Sequence, residues 1–230
     1  MKGMNMSLVR LAKKYNVRAG VKDTDYPYYH ITNYPKPPRI NPKSTYNDPS
    51  GIYLFIKGEA VGYVAGAQWR KRKYRFDAKL KSNIRWLDIK ELPNHFMQIV
   101  KKLKLTWDII KTKVEQDHDI CDDCNDLHQF FFNDTDRFGI EDGDLHSLAN
   151  AFHKHSGHFF LWSFLRAYLE DGKAFTKLLK SLGYDGVRDI DEGYGTAIFF
   201  EESQVIVFDP SKIEWGERED NDVFDEVYML

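Results

Sequence analysis

The sequence predicts an α+β fold, on three observations. Short β-prone runs cluster near the N-terminal third, a long stretch with apolar residues at three- and four-residue spacing follows, and β-prone runs return near the end. Strands, then helices, then strands suit a segregated α+β layout better than a regular βαβ alternation. The 230 residues fit one large domain, and a chain of that length buries a core without covalent staples.

Taken in order, Ser7 to Tyr15 reads as a short amphipathic helix, with Leu8, Leu11 and Ala12 against Arg10, Lys13 and Lys14. Tyr26 to Thr32 is aromatic and β-prone and is read as a strand. The segment 33–49 holds Pro35, Pro37, Pro38, Pro42 and Pro49, and because proline fixes φ and removes a donor it must be irregular loop. A loop that long is usually functional. After Ser50-Gly51 comes a strand, Ile52 to Ile56. Arg75 to Leu87 alternates, with Phe76, Ala78 and Leu80 opposed to Arg75, Asp77 and Lys79, giving one or two strands that end at Asp88.

From Leu92 to Leu182 the period is helical, as in Phe96, Ile99, Val100 and Leu103, then Phe159, Trp162, Leu165 and Leu169; Gly183 stops the last helix. Strands return at 186–190, 196–200 and 204–208, and Asp209-Pro210 ends the last one.

Composition narrows the function classes. Apolar residues make up 42%, charged residues 30% and aromatics 15%, ordinary values apart from the aromatic excess, which suits a ring-lined cleft or simply a core. The net charge of −2 hides a basic run, Lys71-Arg72-Lys73-Tyr74-Arg75, an acidic block at 117–126 and an acidic tail, Glu217 to Glu226. General electrostatic attraction to nucleic acid is not indicated. The basic run reads first as a solvated strand edge, otherwise as a grip for phosphates. Two cysteines make no disulfide framework, and neither a secretory leader nor a membrane-spanning stretch is evident, so a cytoplasmic protein is expected.

One cluster has metal-ligand chemistry: His118, Cys121, Cys124 and His128. Cys-x-x-Cys between two histidines offers four zinc ligands, but one short helix cannot surround an ion, so a second pair from His146, His153, His155 or His158 would be needed. No metal is expected; the polar-helix reading is preferred.

Three pieces far apart in sequence carry a resemblance. They are Tyr29-His30-Ile31-Thr32, Gly51-Ile52-Tyr53-Leu54-Phe55, and Leu182-Gly183-Tyr184-Asp185-Gly186-Val187 followed by Gln204-Val205-Ile206-Val207-Phe208-Asp209-Pro210-Ser211-Lys212-Ile213. Together they resemble the ADP-ribosyltransferase-like domain of phage and mobile-element polyvalent proteins. That domain lies on the His-Tyr-Glu branch of the superfamily, with diphtheria toxin and the poly(ADP-ribose) polymerases. The resemblance implies one domain over 1–230, with a split-sheet core at 26–90 and 178–215, a helical insertion at 91–177 and an acidic tail at 216–230. It also implies cytoplasmic action, in a host's cytoplasm for a phage protein.

The implied activity is cleavage of NAD⁺ at the nicotinamide–ribose bond and transfer of ADP-ribose to a macromolecular acceptor, a protein first. Such a reaction passes through an oxocarbenium-like cation that the enzyme must orient and stabilise. By resemblance His30 bonds the adenosine ribose, backbone groups at Ile31 hold the nicotinamide carboxamide, and Thr32 supports that strand or touches a ribose. Tyr53 stacks on the nicotinamide ring, with Gly51 counted among the cofactor-binding residues; in the phosphate-grip reading of the basic run, Lys71 to Arg75 would hold the NAD⁺ pyrophosphate together with Arg39. The family's Glu position carries Gln204, which can bond a ribose hydroxyl but has no charge and cannot act as a base. Glu202, two residues earlier, could supply the carboxylate from the same face of an extended strand. A catalytically silent NAD⁺ binder or protein-interaction module on the same fold is the main alternative. An NAD⁺-dependent RNA 2′-phosphotransferase ranks third, for want of a basic phosphate site.

Overall fold

The structure is a computed structural model, and it describes residues 26–40, 48–56, 73–116, 138–155, 157–188 and 204–220. These residues form a mixed α+β fold. In chain order the strands are β1 (Tyr28–Thr32), β2 (Ile52–Ile56), β3 (Tyr74–Leu80), β4 (Trp86–Asp88), β5 (Gly186–Arg188), β6 (Gln204–Val207) and β7 (Ile213–Asp220). The α-helices are α1 (Phe96–Leu103), α2 (Trp107–Gln116), α3 (Leu145–Lys154), α4 (His158–Leu169) and α5 (Gly172–Ser181). The chain divides into two compact units, one of 1–40, 51–84 and 192–230, the other of 41–50 and 85–191. The expected helix at Ser7–Tyr15 and strand at 196–200 lie outside the described residues.

In the first unit five strands pair antiparallel in the order β6-β2-β1-β3-β7. Alternation along β3 buries Phe76 and Ala78 as the sequence predicts, but Arg75 is buried too. Strand β7 was not read from the sequence: the segment expected as an acidic tail from 216 pairs with β3 as far as Asp220 opposite Tyr74. Its Glu and Asp residues have poor β-propensity. Cross-strand pairing compensates, through Lys79 with Glu214 at 3.0 Å and Arg75 with Glu219 at 3.8 Å.

The second unit holds all five α-helices and the parallel pair β4–β5. Trp86–Asp88 and Gly186–Arg188, expected within the strand core, therefore group with the helices. The Asp88 carboxylate accepts from Lys90 N at 3.1 Å and opens a 3₁₀ segment, Ile89–His95, that leads into α1. Asp144 and Asp171 cap α3 and α5 in the same way. Helix α4 is apolar on every side, and Phe160, Leu161, Trp162, Phe164 and Leu165 are all buried, so it forms the centre of this unit. Gly183, at φ 96°, ends α5 in the left-handed conformation expected of it.

Residues 48–50, where the proline-rich loop ends, belong to this helical unit. Ser50 N donates to Gly172 O at 3.0 Å, Thr176 Oγ1 donates to Ser50 O at 2.8 Å, and Arg166 Nε lies 3.3 Å from the buried Asp48 carboxylate. Burial is the first cause of a raised Asp48 pKa, with the Arg166 guanidinium opposing it.

Candidate functional site in a fork between two strands

Strands β1 and β2 pair at one end only. Tyr28 faces Ile56 and Tyr29 faces Phe55, and there their ladder stops. Strand β1 nevertheless stays paired with β3 down to Thr32 opposite Tyr74, and β2 with β6 down to Ile52 opposite Val207. Each arm is drawn to its outer neighbour. Asn33 Oδ1 accepts from Lys73 N at 3.2 Å, which ties the end of β1 towards β3. Across the fork, Gly51 presses on β6 so closely that a Cβ there would lie 2.6 Å from Ile206 Cγ2 and 2.8 Å from Val207 O. Only glycine permits that approach.

His30 stands where the arms part. Its Nδ1 lies 2.7 Å from the carbonyl oxygen of Tyr53. A carbonyl can only accept, so Nδ1 carries the hydrogen. The Tyr53 carbonyl must point towards β1 to receive it. In an antiparallel ladder successive residues direct their N–H and C=O alternately to the two sides, and a continued ladder would set Ile31 across from Tyr53. The N–H and C=O of Ile31 are therefore directed into the same fork. One residue presenting a donor beside an acceptor complements a primary carboxamide.

The two rings do not share a face. Tyr29 stacks on Phe55 with centroids 5.2 Å apart, and Tyr53 is two residues from Phe55 on the same side of β2. His30, one residue from Tyr29, leaves the opposite face, where its ring meets Trp215 edge-on at 6.4 Å. Contact between the two expected site residues thus runs from an imidazole to a main-chain carbonyl, across the fork. Both residues are half-buried.

Behind the fork the paired end is closed by an aromatic and ionic stack. The Arg75 guanidinium sits 4.7 Å from the Tyr29 ring centroid and 2.9 Å from Asp77 Oδ1, with its side chain 7% exposed. Desolvation pushes the Tyr29 phenol well above the usual tyrosine range, and Arg75 opposes that shift.

Of the other expected site residues, Thr32 is buried and its Oγ1 accepts from Tyr34 N at 3.3 Å, so it braces the turn out of β1. Arg39 is exposed. Gln204 stands in register across from Phe55 on β6, which makes β1, β2 and β6, carriers of the three expected motifs, consecutive neighbours in the sheet. Glu202 lies outside the described residues, as do His118, Cys121, Cys124 and His128. His146, His153 and His155 are exposed and His158 is buried, and among the described residues no group of three or more His, Cys, Asp or Glu is arranged to hold a metal. No helix among the described residues is long and apolar enough to cross a membrane. Trp215 escaped the sequence reading; the apolar alternation of Ile213 and Trp215 after Asp209-Pro210 was the available signal.

Comparison with family models, with curated proteins and with solved structures gives no match to this chain.

Proposed function

We propose that the chain is a mono-ADP-ribosyltransferase on an ADP-ribosyltransferase-like split sheet, binding NAD⁺ in the fork between β1 and β2. The observation that carries this reading is the fork itself: the ladder gives way beside His30, and Ile31 directs a donor and an acceptor into the gap. In this reading the nicotinamide carboxamide bonds the backbone of Ile31 and its ring lies against Tyr53. By the family resemblance His30 bonds a hydroxyl of the adenosine ribose. The adenosine half lies on the face of His30 and the nicotinamide half on that of Tyr53, so the dinucleotide straddles the fork.

The reaction breaks the bond between the nicotinamide-ribose anomeric carbon and the pyridinium nitrogen. The electron pair leaves with nicotinamide, the acceptor nucleophile bonds to the carbon, and the nucleophile's proton passes to a base or to solvent. Gln204 bonds a ribose hydroxyl without supplying charge, which makes for a slow enzyme, and Glu202, two residues earlier in the sequence, supplies a carboxylate. The test is NAD⁺ binding by calorimetry together with release of nicotinamide. Wild type should bind and turn over slowly, His30→Ala should weaken binding by about tenfold, a lost hydrogen bond to the ligand, and Gln204→Glu should speed nicotinamide release by about tenfold or more. Absence of NAD⁺ binding in the wild type rejects the proposal.

A second reading is favoured by one specific pairing of facts: Gln stands at the Glu position, and the imidazole and phenol leave opposite faces. It is a catalytically silent NAD⁺ binder. It predicts the same loss of affinity in His30→Ala, with no nicotinamide release from wild type or from Gln204→Glu.

A further inference from the structure

We infer that residues 34–39, Tyr34-Pro35-Lys36-Pro37-Pro38-Arg39, dock a partner protein whose groove is lined with aromatic rings and rimmed with carboxylates. The assignment does not depend on what the fork binds. Among the described residues Tyr34 is the most exposed large apolar side chain, at 73% against 36% for Met97 and 37% for Ile109. Pro35, Lys36, Pro37 and Arg39 are exposed beside it, and Pro38 is half-buried. The chain bends from Asn33 to Lys36 and then runs to Ile40 without bend, helix or strand. The bend is tethered at two points: Tyr34 N donates to Thr32 Oγ1 at 3.3 Å, and Arg218 Nη1 donates to Pro35 O at 3.5 Å.

Beyond the bend, sterics set the form of the segment. Proline fixes its own φ and drives the residue before it into extended geometry. Lys36 precedes a proline, Pro37 is a proline that precedes another, and Pro38 follows, so the backbone is pressed towards polyproline II. That helix repeats about every three residues, with a rise of about 3 Å each. Lys36 and Arg39 therefore fall on one edge, about 9 Å apart, and Pro37 and Pro38 occupy the other two. Proline edges suit a groove that packs aromatic rings against them, and a segment already extended loses little entropy on docking. The cationic edge sets the charge of the rim. Among the described residues no carboxylate pairs with Lys36 or Arg39, so both are open to an acidic partner. Tyr34, at the head of the segment, adds a flat amphipathic anchor of the kind that concentrates at protein interfaces. Nucleic acid would also take two cations and a ring, but proline offers it neither a donor nor a planar face.

The experiment measures binding of the full chain to a panel of isolated polyproline-reading domains of the SH3 and WW types, with aromatic-lined grooves and acidic rims. The tightest binder is then remade with its rim carboxylates changed to amides, and single-stranded oligouridylate serves as a nucleic-acid arm. Wild type should bind at least one acidic-rim domain, lose about tenfold or more when that rim is neutralised, and weaken as salt rises. Tyr34→Ala and Pro37→Ala should each weaken the complex by about tenfold, the scale of a hot-spot contact. Lys36→Glu should weaken it by about as much or more, and Lys36→Arg should leave it intact. Tyr34, Lys36 and Pro37 are exposed, so thermal melts of all four variants should stay close to wild type.

A wild type that binds no member of the panel overturns the assignment. So does a complex indifferent to rim charge, or one that survives both Tyr34→Ala and Pro37→Ala, because the docking surface would then lie elsewhere. Tighter binding to oligouridylate than to any domain would make the segment a nucleic-acid contact and overturn it as well.

Discussion

The two ends of the β1–β2 pair make opposite use of the same backbone. At the paired end Tyr29 and Phe55 stack, Arg75 covers the phenol ring, and these three side chains are almost wholly out of water. At the forked end, only a residue away, the ladder is replaced by one imidazole, and His30, Ile31 and Tyr53 are half-buried. The paired end turns its backbone groups towards each other; the forked end turns them towards a gap. A site built from strand ends needs such a support, because a fork without a closed base would zip shut or fray. Stability should therefore reside at the paired end and binding at the forked end.

The largest effect should come from breaking the closed end. Phe55 is 4% exposed and stacked on Tyr29. Phe55→Ala removes the stack and leaves a cavity, and should cost about 3–5 kcal/mol in urea or thermal unfolding. Ligand affinity should fall only as far as the folded population does. A Phe55→Ala protein that melts within a degree of wild type would show that the stack is not what closes the fork.

A smaller effect isolates the phenol. Burial raises the folded pKa of Tyr29 above its unfolded value, so the folded state holds the proton more tightly. The associated stability is fully present below the unfolded pKa, about 10, and is lost as pH rises beyond it, because the unfolded chain then sheds a proton that the folded chain keeps. A pH series of melts should therefore show stability falling above about pH 10. Tyr29→Phe should flatten part of that fall. The buried Tyr184 phenol is raised for the same first reason and accounts for some of the remainder. If wild type and Tyr29→Phe lose stability in parallel above about pH 10, the phenol is not buried in its neutral form.

Much of the closed end was legible beforehand and little of the forked end was. Strand Ile52–Ile56, the strand ending at Thr32 and the start of β6 follow from β-branched and aromatic runs between turn residues, a signal local to each segment. The helical middle follows from its period, and Gly183 from the demand for a left-handed stop. The fork follows from none of these. It arises because Gly51 lets β2 approach β6 while Asn33 ties β1 towards β3, and both partners are distant in the chain. Strand β7 was missed for a related reason. From 216 onward, Gly-Glu-Arg-Glu-Asp looks like a charged tail until β3 offers it an edge and basic partners. Arg75 likewise reads as one more cation in a basic run, and only the register sets it over Tyr29.

The smallest effect on stability, and the sharpest contrast, belongs to His30. Its ring is half-buried, and its Nδ1 donates to a carbonyl on the partner arm. A net hydrogen bond of this kind contributes about 0.5–1.5 kcal/mol. His30→Ala should therefore melt only a few degrees below wild type, far less than Phe55→Ala, although it lies one residue from the stack. The carbonyl it abandons faces the fork, where water can take the place of the imidazole, so no buried group is stranded. His30→Asn keeps a donor at the same reach, because the amide Nδ2 takes the place of the imidazole Nδ1, and should recover most of that loss. A loss in His30→Ala as large as that in Phe55→Ala would mean that the imidazole is a structural rivet. The fork would then be one more part of the core, closed to any ligand.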